Sequence, residues 1–323
     1  MERTRAKAWR LGVPVLSVTA LLASCNPGAH EARGLAAACS EGDAEACREL
    51  GQQVYWGEHV LRDWRRAADL FRQACDGGEG EGCVRLARMH ADDTAPRRGV
   101  ALDSTLSAEL HEHGCDLGAP LGCTELGDMY AERDSVVPDV EPQGPRHDPS
   151  RAAGLYLRAC DGGDMLGCVR LGVLHRAGVG VTEDPTRALD LFRQACEGGS
   201  PRGCARLGEA FAAGMGTDRD PIRAASLFEE ACEQEMLGCF DLATLLVEGE
   251  GVGQDLERAV ELFDQACDGT LDRGQGSPPV PESCYRLGDM YSEGSGVDAN
   301  PYRASSFFRR ACRLGHQEGC RRS

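Results

Sequence analysis

Apolar residues return along this chain with a helical period that is broken and restarted every 35 to 45 residues. The stretch DPTRALDLFRQACEGGSPRGC, from Asp184 to Cys204, is the unit that repeats. Ala188, Leu191, Phe192 and Ala195 fall on one face of a 3.6-residue period, and Cys196 is followed after seven residues by Cys204. The same face recurs as Ala67/Leu70/Phe71/Ala74, Ala152/Leu155/Tyr156/Ala159 and Ala304/Phe307/Phe308/Ala311. This pattern predicts one helix per repeat, helix B. Twelve residues before the first cysteine stands Asp63, Asp103, Asp148, Asp184, Asp220, Asp255 or Asn300. A short acceptor there caps free backbone N–H groups, and the prolines that follow in four copies (Pro149, Pro185, Pro221, Pro301) suit a first helical turn.

A second helix, helix A, is read by counting forward from the other cysteine of each pair. Leucine recurs three residues on and glycine or alanine four on: Leu50-Gly51, Leu86-Ala87, Leu126-Gly127, Leu171-Gly172, Leu207-Gly208, Leu242-Ala243, Leu287-Gly288. Side chains that small let two helices approach closely. Glycines such as Gly178, Gly214, Gly249 and Gly294 predict where these helices stop. The expected order is a half repeat near residues 31–40, seven A–B hairpins, and a closing half helix from His316. Residues 92–99 and 133–147 lengthen two A–B loops, and 268–282 expands one B–A turn.

Of seventeen cysteines, sixteen form eight neighbouring pairs: Cys39/Cys47, Cys75/Cys83, Cys115/Cys123, Cys160/Cys168, Cys196/Cys204, Cys232/Cys239, Cys267/Cys284 and Cys312/Cys320. Six pairs enclose seven residues, too many for the two to four between paired zinc ligands. No metal is expected. In an exported protein the spacing predicts local disulfides from the end of helix B to the start of the next helix A. Closing so small a loop contributes about 2.5 kcal/mol in the chain-entropy model. The stretched pair Cys267/Cys284 is the weakest of these assignments on geometry.

The leftover Cys25 ends a leader. Arg3, Arg5, Lys7 and Arg10 precede an apolar run, Leu11 to Ala23, too short for a membrane-spanning helix and suited to a signal peptide. Its end, Leu22-Ala23-Ser24-Cys25, resembles a bacterial lipobox, in which the cysteine becomes the lipidated first residue. Ordinary cleavage near Ser24 is the alternative. The expected divisions are a signal peptide at 1–24, a lipidated tether at 25–30 and a helical repeat array at 31–323, with Asn26 favouring the outer membrane over the inner. The net charge of −17 becomes more negative once the basic leader is gone, which argues against nucleic acid as a partner.

The Leu-Gly-x-x-Tyr of helix A, the Gly-x-Gly-Val loops at Gly178, Gly249 and Gly294, the capping aspartate and the Ala-x-x-Leu-Phe-x-x-Ala of helix B together resemble Sel1-like repeats, relatives of tetratricopeptide repeats. The paired cysteines make the chain similar to the cysteine-rich Sel1-like proteins of Helicobacter. The likeness covers residues 31–323, with a weak copy near 99–115, where Gly114 replaces an alanine. It also departs from the usual lysine at Arg66, Arg151, Arg187, Arg223, Arg258 and Arg303. The resemblance implies an all-α, right-handed α-solenoid of about seven hairpins. It implies an interaction scaffold for a protein, peptide or cell-wall-related ligand or, as the competing class, weak penicillin binding or β-lactam hydrolysis.

Chemistry is sparse. Lys7 is the only lysine, so the mature chain cannot hold a Ser-x-x-Lys β-lactamase pair, a Walker A lysine or a pyridoxal Schiff base. No cofactor is expected and no catalytic residue stands out. His90 and His175 take the aromatic position of helix A and His111 that of helix B, which predicts packing roles. His111 and His113 lie two apart and face different ways on a helix. If tetratricopeptide geometry carries over, positions five and nine after each helix A cysteine face a concave groove. These include Arg88, Asp128, Glu132, Glu209, Glu248, Asp289 and Glu293. That groove is expected to be mostly acidic and to favour basic ligands on an otherwise monomeric, membrane-anchored protein; the same residues also fit a merely solvated face.

Overall fold

A computed structural model describes residues 27–92, 94, 99–131, 146–269 and 279–323. The leader, Cys25 and Glu132 lie outside the described residues. The described chain is all helix and turn, with no strand. It divides at Leu117 into two compact units.

The first unit holds α1 (Pro27–Ser40), then the hairpin of α2 (Ala44–Trp56) and α3 (Trp64–Asp76), then that of α4 (Gly80–Ala91) and α5 (Ser104–Asp116). The second holds α6 (Pro120–Ala131) with α7 (Pro149–Asp161), α8 (Met165–Ala177) with α9 (Pro185–Glu197), and α10 (Pro201–Ala213) with α11 (Pro221–Glu235). It continues with α12 (Cys239–Glu248) and α13 (Leu256–Asp268), then α14 (Pro281–Glu293) and α15 (Pro301–Arg313), and closes on the short α16 (Gln317–Arg322). Within each unit every helix packs on its predecessor and its successor, as a repeat array requires. At the front α1 is already helical at Pro27, the first described residue, and it contains the expected half repeat near 31–40.

Three devices recur in the hairpins. All seven predicted caps are made: the side chains of Asp63, Asp103, Asp148, Asp184, Asp220, Asp255 and Asn300 accept from a backbone N–H three residues on. The backbone N–H of each capping residue also donates back to helix A, to the carbonyl seven residues after its cysteine, as Asp184 does to His175 at 2.8 Å. The bond from Asp103 to His90 is 2.9 Å and that from Asp148 to Tyr130 is 2.8 Å, so the two lengthened loops close on the same bond as the short ones. The third device is steric. A Cβ on Gly51, Gly127, Gly172, Gly208 or Gly288 would lie 2.4–2.8 Å from a ring carbon of the helix B aromatic, so the ring lies directly on the helix A backbone.

The arginines that replace lysine have a packing role in three hairpins. Arg151 lies 4.4 Å over the Tyr130 ring, Arg223 5.5 Å over Phe211 and Arg303 5.2 Å over Tyr291. A planar guanidinium stacks where an ammonium does not.

The disulfides follow the predicted local scheme. Cys39–Cys47, Cys75–Cys83, Cys160–Cys168, Cys196–Cys204, Cys232–Cys239, Cys267–Cys284 and Cys312–Cys320 are joined at Cα separations of 4.4–4.8 Å. Cys115 and Cys123 are disulfide-bonded as well. Cys267–Cys284 forms despite its separation of 17, with Cα atoms 4.8 Å apart. Val280 N–H donates to Ala266 at 2.8 Å, the bond that Glu79 to Ala74 and Ser200 to Ala195 make in ordinary turns. The expanded turn is thus pinched at its base, and its cysteines meet as elsewhere.

The second cysteine of each pair sits at the start of helix A, as the pattern implies. α2 begins at Ala44, ahead of Cys47, α8 at Met165, ahead of Cys168, and α16 at Gln317, ahead of Cys320. Each of these cysteines therefore lies inside the first turn. The cause is a second set of caps within the B–A turns: Asp43 accepts from Ala46 N–H at 3.0 Å, Asp164 from Leu166 N–H at 3.1 Å and His316 Nδ1 from Gly319 N–H at 3.0 Å. Only α12 begins at its cysteine, Cys239, and it follows Gly238, which makes no side-chain cap. Burial differs too. Cys47 and Cys168 are buried, whereas Cys320 is exposed.

Candidate functional site

In the second unit the A helices present their own row of side chains, and the groove candidates sit on it in two classes. Asp128, Glu209 and Asp289, five residues after the cysteine, are half-buried; Glu248 and Glu293, nine after it, are exposed. The half-buried acids are matched by arginine. Asp128 accepts from Tyr156 Oη at 2.6 Å and pairs with Arg170 at 3.1 Å. Glu209 pairs with Arg206 at 2.9 Å and Arg176 at 3.1 Å, and Asp289 pairs with Arg322. The expected bare acidic lining is therefore largely neutralised. Arg170, Arg206 and Arg322 each stand two residues after a helix A cysteine, a periodic signal that the sequence contains but that the charge count alone hides.

Cavities open between successive A helices of this unit. One of about 300 Å³ lies between α6 and α8, against Asp128, Tyr156 and Val173. A second of about 360 Å³ spans α8, α10 and α12, with Val169, Val173, Ala205 and Phe240 as its apolar wall. A third of about 420 Å³ lies between α12 and α14 and takes in Glu248, Asp289 and Glu293.

The second cavity coincides with a break in the repeat. Cys232 and Cys239 are seven apart rather than eight, α11 runs on to Glu235, and Met236 takes φ +61°, a left-handed conformation that costs a non-glycine residue energy. The shortened turn places Asp241 where α8 and α10 carry Arg170 and Arg206. Asp241 then faces Glu209, acid against acid. Burial, followed by the Glu209 charge, pushes the Asp241 carboxyl up to about 6, against the opposing pull of its own backbone N–H and Arg206.

The first unit carries a different face. Gln52, Tyr55 and Trp56 of α2, Phe71 of α3, Arg85, Arg88 and Met89 of α4 and Asp92 enclose a cavity of about 200 Å³. Tyr55 and Trp56 meet edge to face with centroids 5.0 Å apart, and Trp56 remains 54% exposed. Arg85 Nε is buried without a hydrogen-bond partner.

Other chemical candidates take packing roles. His90 and His111 are buried and His175 half-buried, and His90 Nδ1 lies 2.8 Å from the Ala101 carbonyl oxygen. His113 is exposed while His111 is buried, so the two do face different ways. His113 approaches Cys75 and Cys83, whose sulfurs are bonded to each other and are not thiolates. Ser107 and Ser283 are fully buried, out of reach of any substrate.

The repeat signature now has an external match. A family model described as the Sel1 repeat matches residues 44–79, 120–164, 166–200, 201–236, 237–270 and 281–316, more than half of the chain. The chain belongs to the Sel1 repeat family. No curated protein matches it significantly. Among solved structures it is similar to c5321, described as a protective antigen of uropathogenic Escherichia coli, at 24% identity and a TM-score of 0.70 over 89% of this chain. The chain spans 57% of the length of that structure. It is similar to a Sel1 repeat protein from Oxalobacter formigenes at 20% identity and a TM-score of 0.65, over 98% of this chain and 96% of that one. Helicobacter pylori cysteine-rich protein B matches at 24% identity over 54% of this chain and 93% of that one, with a TM-score of 0.22, too low to transfer anything. At these identities the likenesses speak for the Sel1 fold alone. The family model passes over residues 80–119, yet α4 and α5 form a hairpin there.

Proposed function

We propose that this Sel1 repeat protein is an exported scaffold that binds protein or peptide partners in the bacterial envelope along the faces of its A helices. The observation that carries the reading is the run of three cavities between successive A helices of the second unit, each with an apolar wall and an ion-paired rim. Extended surfaces built this way suit a polypeptide, which inserts side chains at intervals, better than one compact metabolite. Eight local disulfides support residence in an oxidising compartment. No helix among the described residues is long and apolar enough to cross a membrane. The proposed anchor is lipid on Cys25, supported by the resemblance of Leu22-Ala23-Ser24-Cys25 to a lipobox.

Photo-crosslinking in the envelope tests the scaffold reading. A photoreactive residue at Val173 or Phe240 is expected to capture a discrete partner, and one at exposed Leu157 on α7 is not. Equal capture at both places, or turnover of a chromogenic β-lactam by the oxidised protein, overturns it. Fatty-acid labelling that persists in Cys25→Ala overturns the anchor.

A further inference from the structure

Five helix A positions two residues after the cysteine carry arginine: Arg85, Arg170, Arg206, Arg286 and Arg322. Four of them are paired within the chain, Arg170 with Asp128, Arg206 with Glu209, Arg286 with Glu282 and Arg322 with Asp289. Arg85 has no such partner among the described residues, and its Nε is buried without one. The cause lies in the repeat register. Asp128, which pairs with Arg170, stands five residues after its cysteine on the preceding A helix; the residue at that count before Arg85 is Gln52, an amide with no charge to offer.

A half-buried guanidinium without a counter-charge is costly, because desolvation weakens its hydration and nothing replaces it. Arg85 also lines a cavity walled by Tyr55, Trp56, Phe71 and Met89. At about 200 Å³ the cavity is smaller than the roughly 300–1,000 Å³ of metabolite pockets and suits one or two side chains of a peptide.

We propose that this α2–α4 face is a docking site for a partner peptide that presents an acidic side chain beside an aromatic or aliphatic one. The carboxylate takes the place on Arg85 that Asp128 takes on Arg170, and the apolar neighbour enters beside Trp56. Arginine suits this role because its planar fork meets a carboxylate with two parallel hydrogen bonds. The proposal rests on the scaffold reading and adds partner chemistry opposite to the basic ligand that an acidic groove implies.

The test uses the oxidised mature protein and three acetylated, amidated peptides, Gly-Ser-Phe-Glu-Ser-Gly and its Phe-Gln and Phe-Lys counterparts, with binding followed by tryptophan emission and calorimetry. The Glu peptide is expected to bind at least tenfold more tightly than the Gln peptide, and the Lys peptide most weakly. Arg85→Gln is expected to erase that preference. Gln52→Glu, which supplies the missing carboxylate from within the chain, is expected to erase it too while helicity is unchanged. Equal binding of the Glu and Gln peptides to the unaltered protein, or a preference that survives either substitution, overturns the proposal. Crosslinks at Val173 without a peptide preference here overturn this inference and spare the scaffold reading; loss of both overturns both.

Discussion

The α4–α5 and α8–α9 hairpins have the same architecture and different interiors. In α8–α9, Ala188, Phe192 and Ala195 are buried at 0% exposure, and the Phe192 ring lies on Gly172. In α5 the same three places hold Ser107, His111 and Gly114, and Ala87 stands where Gly172 does. Both hairpins keep the capping aspartate and the backbone bond from its N–H to helix A, at 2.9 Å in one and 2.8 Å in the other. The contrast separates two things that a repeat signature merges. The hairpin path is fixed by caps, backbone closure and disulfides, and the apolar set adds cohesion. The family match passes over residues 80–119, the hairpin in which that apolar set is replaced.

If that division holds, truncating the two interiors should differ most. Phe192→Ala is expected to cost about 3–5 kcal/mol of local stability, and His111→Ala about 1–2 kcal/mol. Repeat arrays do not unfold as one unit, so amide hydrogen exchange in α9 and α5 is the suitable measure. Equal losses break the comparison. The disulfides come next. Cys75–Cys83 and Cys196–Cys204 have the same sequence separation, 8, so converting either pair to serine removes the same loop term, about 2.5 kcal/mol. Exchange protection in α4–α5 is expected to fall nearly to that of an open chain without Cys75–Cys83, while α9–α10 keeps measurable protection without Cys196–Cys204. The reverse order would mean that the polar interior is the more cohesive.

A smaller effect addresses the seat of the ring. A Cβ on Gly172 would lie 2.5 Å from Phe192 Cε1, so Gly172→Ala is expected to cost about 1–3 kcal/mol by overpacking. Ala87 already carries that methyl, with His111 at the aromatic position of its repeat. Ala87→Gly is expected to cost only about 1 kcal/mol, the helix-propensity difference. Thermal unfolding of the two variants checks the contrast, and a neutral Gly172→Ala defeats it.

Much of this was legible in the sequence for one reason: repetition. A single Asp-Pro is a weak sign of a helix start, but Asp or Asn at one fixed distance before seven cysteines is a strong one, and all seven cap. The helix A starts are marked less sharply, for the opposite reason. Their caps vary from Asp43 to Glu79, Asp164, Ser200 and His316, so no single residue type marks the place. Disulfide partners were legible because neighbouring cysteines recur at one spacing, and Cys267–Cys284 fell outside that logic. Its pairing depends on the Val280–Ala266 backbone bond, which leaves no mark in side-chain identity. The acids of helix A were legible as a spaced row and not by their pairing. Asp128, Glu209 and Asp289 read as bare acids until arginines from neighbouring turns and helices are placed beside them, and a one-dimensional charge count cannot pair residues 33 to 42 apart.

The last and smallest effect lies in the second unit, where two A helices meet with the wrong charges. Between α6 and α8 the contact is Asp128 with Arg170; between α10 and α12 it is Glu209 facing Asp241. An unfolded aspartate titrates near 3.9, whereas Asp241 in the fold is pushed up to about 6 by burial and by Glu209. Between those values the native state holds the extra proton, so its stability falls as pH rises through the window, and the full penalty is reached above about pH 6. Partial exposure limits that penalty to roughly 1 kcal/mol. Asp241→Asn keeps an acceptor for the α12 backbone and removes the charge. It is expected to stabilise the protein by that amount at pH 7.5 and to leave it unchanged at pH 4. A gain of equal size at both values would show that shape, not charge, distinguishes this repeat from its neighbours.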